Sequence, residues 1–103
     1  MSVPELEPVF SFRTSGNGNV YVYLVRTEIA KLAIITFDNT ISELAYAVQT
    51  LTNYIKIEAE ELVHNAKERY RYIHDNPFYE LHNDKEAMEK LASILASFFK
   101  SSE

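Results

Sequence analysis

The residues best equipped for chemistry lie between positions 58 and 84. Glu61-Leu62-Val63-His64 sets a carboxylate and an imidazole at the Glu-x-x-His spacing that dimetal carboxylate bundles use. Glu60 and Glu68 stand one turn either side of His64, and Glu86 or Glu89 could add ligands from a second helix. The motif occurs once, however, and on a helix His64 projects about 140° away from the apolar stripe. Surface Glu–His pairs are the simpler reading, and neither a metal nor any other cofactor is expected. His74 and His82, with Asp75 and Asp84, flank a short connection and read as solvated polar residues. Nucleophilic catalysis has no foothold: the chain has no Cys, and no Ser sits in a Gly-x-Ser-x-Gly elbow. "GNGN", residues 16–19, is too short to cradle a phosphate and no helix follows it. The chain reads as a non-enzyme.

Binding chemistry is better represented. "NAKERYRYIH", residues 65–74, crowds three bases, two tyrosines and a histidine into ten positions. Projected at 100° per residue, these do not share one surface. Tyr70 and Ile73 fall within an apolar stripe, whereas Lys67, Arg71 and His74 share one flank and Tyr72 lies on the other. The N-terminal third is richer still. Side chains alternate across a strand, so in "VYVYLVRTE" Tyr21 and Tyr23 face one way and Val20, Val22 and Leu24 the other. Phe10 and Phe12 share one face of the preceding strand, with Arg13 on the opposite one. Ala33, Ile35 and Phe37 oppose Leu32, Ile34 and Thr36. Both faces of the second strand are apolar, so both need cover. A helix takes one. The face with Tyr21 and Tyr23, joined in this reading by Phe10 and Phe12, is left for a second helix, a second subunit or nucleobases. Bases stack on such rings at about 1–3 kcal/mol each whatever their sequence. Arg13, Arg26 and Lys31 are placed to meet phosphates, with Lys67 and Arg71 as further candidates.

The elements that must hold these residues read as α+β. Residues 1–8, bracketed by Pro4 and Pro8, form an extended arm, and 9–103 form one domain. Asn-Gly within "GNGN" is a strong hairpin signal, and three antiparallel strands follow one another as a meander. "TEIAK" is a poor turn, and a short helix over 27–33 is the alternative there. Thr40 and Glu43 match a capping box. Ile41, Leu44, Val48, Leu51, Ile55, Ala59, Leu62, Ala66, Tyr70 and Ile73 then recur every three or four residues. That spacing predicts a long helix over about 41–75, weakest at 50–53, with Pro77 ending it. A second helix over about 84–99 opens on Asn83 and Glu86 and presents Met88, Leu91, Leu95 and Phe98.

A helix of that length would span about 50 Å at 1.5 Å per residue, against a radius of gyration of about 13 Å for a domain of this size. Either it breaks near 50–53, or it is covered by the C-terminal helix or by another chain. A homodimer joined through Leu62, Ala66, Tyr70 and Ile73 is the simplest expectation.

Net charge is −5, and the excess of acid lies beyond residue 37. Duplex DNA is a poor match for such a chain, since phosphate contacts dominate that affinity. No apolar run is long enough to cross a bilayer, and the absence of Cys and of a basic, apolar leader points to the cytoplasm. Two functions remain. The first is single-stranded DNA or RNA binding on an aromatic sheet edged by arginines. The alternative is a dimerising protein-interaction module, adaptor or regulator.

Overall fold

Alternating β-branched and aromatic residues over positions 9–37 form strands because such side chains pack well on a pleated surface. In the computed structural model, which describes residues 7–16, 18–37, 40–52 and 56–99, they make β1 (Phe10–Arg13), β2 (Asn19–Arg26) and β3 (Ala30–Phe37). The expected N-terminal arm falls mostly outside the described residues. Gly18 supplies the left-handed φ of 91° that the first turn needs, and Thr14 hydrogen-bonds the Gly18 carbonyl. The second turn lacks Gly, Pro and Asn, and Thr27 substitutes for them. Its hydroxyl accepts from the amides of Ile29 at 3.2 Å and Ala30 at 3.0 Å. The alternative helix over 27–33 is not formed.

The long helix is a correction. Its first third is a fourth strand, β4 (Thr40–Thr50), antiparallel to β3, so the sheet is a four-stranded meander in the order β1-β2-β3-β4. Two physical causes defeat the helical reading. Ala45 and Ala47 face the core while Tyr46 and Val48 face away, an alternation that a helical stripe of Leu44, Val48 and Leu51 masks. The open edge of β3 also offers a row of backbone donors and acceptors that a strand satisfies and a helix does not. The register slips between Ile35 and Phe37. The apparent Thr40–Glu43 capping box lies inside the strand and starts nothing. The weak stretch at 50–53 marks the strand's end, with residues 51 and 52 in a turn.

The remaining helical signal is divided among three helices. In α1 (Ala59–Arg69), Ala59, Leu62, Val63 and Ala66 are buried on one face; Glu60 and Glu61 open it and Lys67 and Arg69 close it, each sign matching the local dipole. Pro77 does not merely stop a helix. It begins α2 (Pro77–His82), where a missing N–H costs nothing, and Asn76 caps that helix by accepting from Phe78 N at 2.9 Å. The C-terminal helix, α3 (Lys85–Phe98), agrees with its expected bounds, and its cap is Asp84, which accepts from Ala87 N at 2.9 Å. Asp84→Ala is therefore expected to lower stability by about 1 kcal/mol in urea unfolding, with no change in far-ultraviolet circular dichroism at 25 °C.

The core lies between the sheet and these helices. It joins Phe10, Val20, Val22, Ala33, Ile35 and Ala45 to Leu62, Val63, Ala66, Phe78, Leu81, Leu91 and Leu95. Phe37, Tyr70 and Phe78 form an aromatic cluster, with Phe37 edge-on to Tyr70 at 5.2 Å and Tyr70 stacked on Phe78 at 5.3 Å. The stripe residues expected to join two subunits are thus inside one chain: Leu62, Ala66 and Tyr70 are buried, and Ile73 packs half-buried against the same core.

Candidate binding face

Pairing places the strand side chains in rows across the sheet. The row Phe10–Val22–Ile35–Ala45 belongs to the core, as do Phe12–Val20–Phe37 and Leu24–Ala33–Ala47. The alternate rows point the other way: Ser11–Tyr21–Thr36, Tyr23–Ile34–Tyr46 and Val25–Leu32–Val48, with Arg13 beside Asn19 at one corner. None of Tyr21, Tyr23, Val25, Leu32, Ile34, Tyr46 or Val48 packs against the core cluster, which contains or contacts residues of all three helices. Tyr46 is 58% exposed, and the others are half-buried among their neighbours. Thr36, at the end of its row, is buried. Asn19 Nδ2 lies 3.4 Å from the Tyr21 hydroxyl and orients that ring's polar end.

The sheet divides the candidate nucleic-acid residues. Tyr21, Tyr23 and Arg13 share the outer face. Phe10 and Phe12 do not join them: the pairing of Phe10 with Val22 turns both phenylalanines toward the helices. Arg26 and Lys31 form a cross-strand pair in the set that includes Leu24 and Ala33, which is the helix side. Lys31 donates to the Phe98 carbonyl at 2.9 Å and lies 5.7 Å from the Phe98 ring centre, so it is engaged with the end of α3. Lys67 and Arg71 belong to the helical layer. Lys67 Nζ is 3.1 Å from His82 Nδ1 and 4.9 Å from the Tyr79 ring centre, and Arg71 stands 3.9 Å from Glu68. Among the strand residues whose side chains are described, Arg13 is the one charged member of the outer set. Tyr46, Ile34, Leu32, Val25 and Val48 are members of this face that the functional reading of the sequence passed over. Alternation alone could have supplied the first through Ala45-Tyr46-Ala47-Val48.

The Glu–His residues stay dispersed. His82 Nε2 is 3.7 Å from Glu60, His64 is exposed nearby, and His74 pairs with Asp75 at 3.5 Å. No group of three or more His, Cys, Asp or Glu among the described residues could hold a metal ion, and no described helix is long and apolar enough to cross a membrane. Two open clefts lie outside the sheet face. One, of about 750 Å³, runs beside Ser15, Arg71, His74 and Glu80. There the Glu80 carboxylate accepts from the amide and hydroxyl of Ser15 at 3.1 Å, tying the first turn to α2. The other, of about 620 Å³, lies between residues 56–60 and α3, with Ile57, Met88, Ala92 and Ala96 in its wall.

No protein-family model, characterised protein or solved structure matches the chain. The outer face is therefore interpreted through its own chemistry. It offers aliphatic area, three tyrosine rings with their hydroxyls, and one guanidinium at a corner, a composition suited to holding a ligand by packing.

Proposed function

We propose that this chain is a non-enzymatic binding module acting in the cytoplasm, that the sheet face turned away from the described helices is its docking surface, and that the docked ligand is protein. The observation that supports this reading is the near-absence of charge on an apolar, tyrosine-bearing face. Interface centres are depleted in charge and enriched in aromatic rings, and Tyr23, Ile34 and Tyr46 form such a centre. A surface for single-stranded nucleic acid needs cations that follow the phosphates as well as rings for the bases. Arg26 and Lys31 lie on the helix side, which leaves Arg13 at one corner and Arg69, beside Tyr46 and next to Glu68, at the β4 border as the described cations near the rings.

Single-stranded DNA or RNA is the second reading, favoured by the grouping of Tyr21, Tyr23 and Tyr46 with Arg13. Fluorescence anisotropy separates the two. Labelled single strands of mixed sequence are titrated with protein at low and at physiological salt. Protein docking predicts no saturable signal up to about 100 µM. Salt-sensitive binding at about 10 µM or tighter, abolished in Tyr21→Ala and Tyr23→Ala proteins that remain folded, would instead make the face a nucleobase platform.

A further inference from the structure

We infer that the occupant of the open face is a second copy of this chain, the two sheets packing face to face as a symmetric sandwich. This inference rests on the reading of the face as a docking surface. Three observations carry it.

The first is the composition of the strands. An antiparallel sheet with one wet face alternates apolar and polar residues, whereas strands covered on both sides read as continuous apolar runs. "VYVYLV" in β2 and "LAIITF" in β3 are runs of the second kind. Among the described residues, the helices pack on the Val20–Val22–Leu24 side.

The second is charge. A two-fold interface sets each patch against itself, so every charge meets its own kind unless it lies away from the axis. This face meets that condition. Its rows of Tyr23–Ile34–Tyr46 and Val25–Leu32–Val48 carry no charge. Arg13 lies on the edge strand β1. A two-fold axis lying between the sheets, parallel to the strands and through the middle of the face, sets the two Arg13 residues on opposite borders, about 14 Å apart across the strands and about 10 Å apart between the sheets, about 17 Å in all. That is more than twice the physiological screening length of about 8 Å.

The third is size. Four strands at about 4.8 Å spacing and seven residues at about 3.3 Å give a face of about 19 by 23 Å. Two such faces in contact remove on the order of 900 Å² from water, just under the range of about 1,200–2,000 Å² for stable interfaces. An area below that range fits a weak dimer that forms and dissociates with concentration rather than a permanent one. Aligned sheet packing at about 10 Å and about 30° accommodates the rings without rearranging the helices.

The test is light scattering coupled to size exclusion on the full chain, loaded from about 5 to about 500 µM, beside the Tyr46→Lys and Leu32→Lys variants. The wild-type mass is expected to climb from 11.9 kDa toward twice that value. Tyr46→Lys replaces a residue that is 58% exposed. It should remain folded by circular dichroism, with its rise in mass moved to at least tenfold higher concentration than that of the wild type. A wild type that stays at 11.9 kDa overturns the second copy. A wild-type dimer that Tyr46→Lys leaves intact overturns it too, since the contact is then elsewhere.

Maleimide labelling of a Tyr46→Cys variant separates that failure from failure of the docking reading, because the chain has no other thiol. Fast labelling of a monomer means that the face is open and awaits a different protein. Slow labelling of a monomer means that the chain covers its own face, and both readings fall.

Discussion

Leu62→Glu is expected to unfold the chain. Leu62 is 1% exposed, on the face of α1 turned toward the sheet. Truncating a buried leucine costs about 2–5 kcal/mol in packing alone, and an unpaired carboxylate in the same space adds several kcal/mol of desolvation or the work of keeping it protonated. A domain of this size has about 5–15 kcal/mol in all. Circular dichroism and a urea titration at neutral pH should show little or no cooperative transition. The experiment also decides between two architectures. If residues 41–75 formed one overhanging helix, the same substitution would sit on its subunit interface. It would then yield a folded monomer with a full helical spectrum, and that outcome would rule out the packing of α1 described above.

The second large effect is expected at Asn76, which is 8% exposed. Its side-chain amide donates to the Lys67 carbonyl at 3.1 Å and to the Tyr70 carbonyl at 3.2 Å, while its oxygen accepts from Phe78 N at 2.9 Å. One residue thus satisfies the last carbonyls of α1 and the first free amide of α2, and it fixes the turn that stacks Tyr70 on Phe78. Asn76→Asp keeps the acceptor but replaces a two-bond donor with an oxygen facing two carbonyl oxygens. Losing hydrogen bonds to buried groups costs about 1–3 kcal/mol each when partners are left unpaired. A total loss of about 3 kcal/mol is expected, read as a lower urea midpoint with an unchanged slope. A loss below about 0.5 kcal/mol, the level of an ordinary surface substitution, would mean that the turn is held by the Tyr70–Phe78 stack alone.

The parts of the fold legible in the sequence are those in which local pattern and final environment agree. β2 and β3 are unbroken runs of β-branched, aromatic and aliphatic residues, Asn-Gly marks the turn before β2, and Met88, Leu91 and Leu95 trace α3. β4 was not legible, because a set of residues spaced by three and four also contains alternate pairs. The choice between the two fell to the unpaired edge of β3, which no local pattern reports. α2 was hidden by Pro77, a residue that closes one helix and opens another with equal ease. The candidate face was half legible. The parity of Tyr21 and Tyr23 within β2 sets them apart from Val20 and Val22, and the same parity places Arg26 with Leu24, on the helix side. Which way Phe10 and Phe12 turn depends on the register of β1 against β2, a long-range choice that the alternation inside a single strand does not contain.

The borders of the sheet have a consequence of their own. β1 is four residues long, and β4 pairs with its neighbour through a break in register between Ile35 and Phe37. Short or irregular borders are poor templates for strand addition. A chain with a broad sticky plane and serviceable borders would grow in two directions and precipitate. Under the docking proposed above, growth along the hydrogen-bonding direction is blunted at the β1 border, and association through the plane would saturate once the plane is occupied. In that reading docking ends in a finite complex, because the short β1 border offers an incoming strand only four residues to pair with.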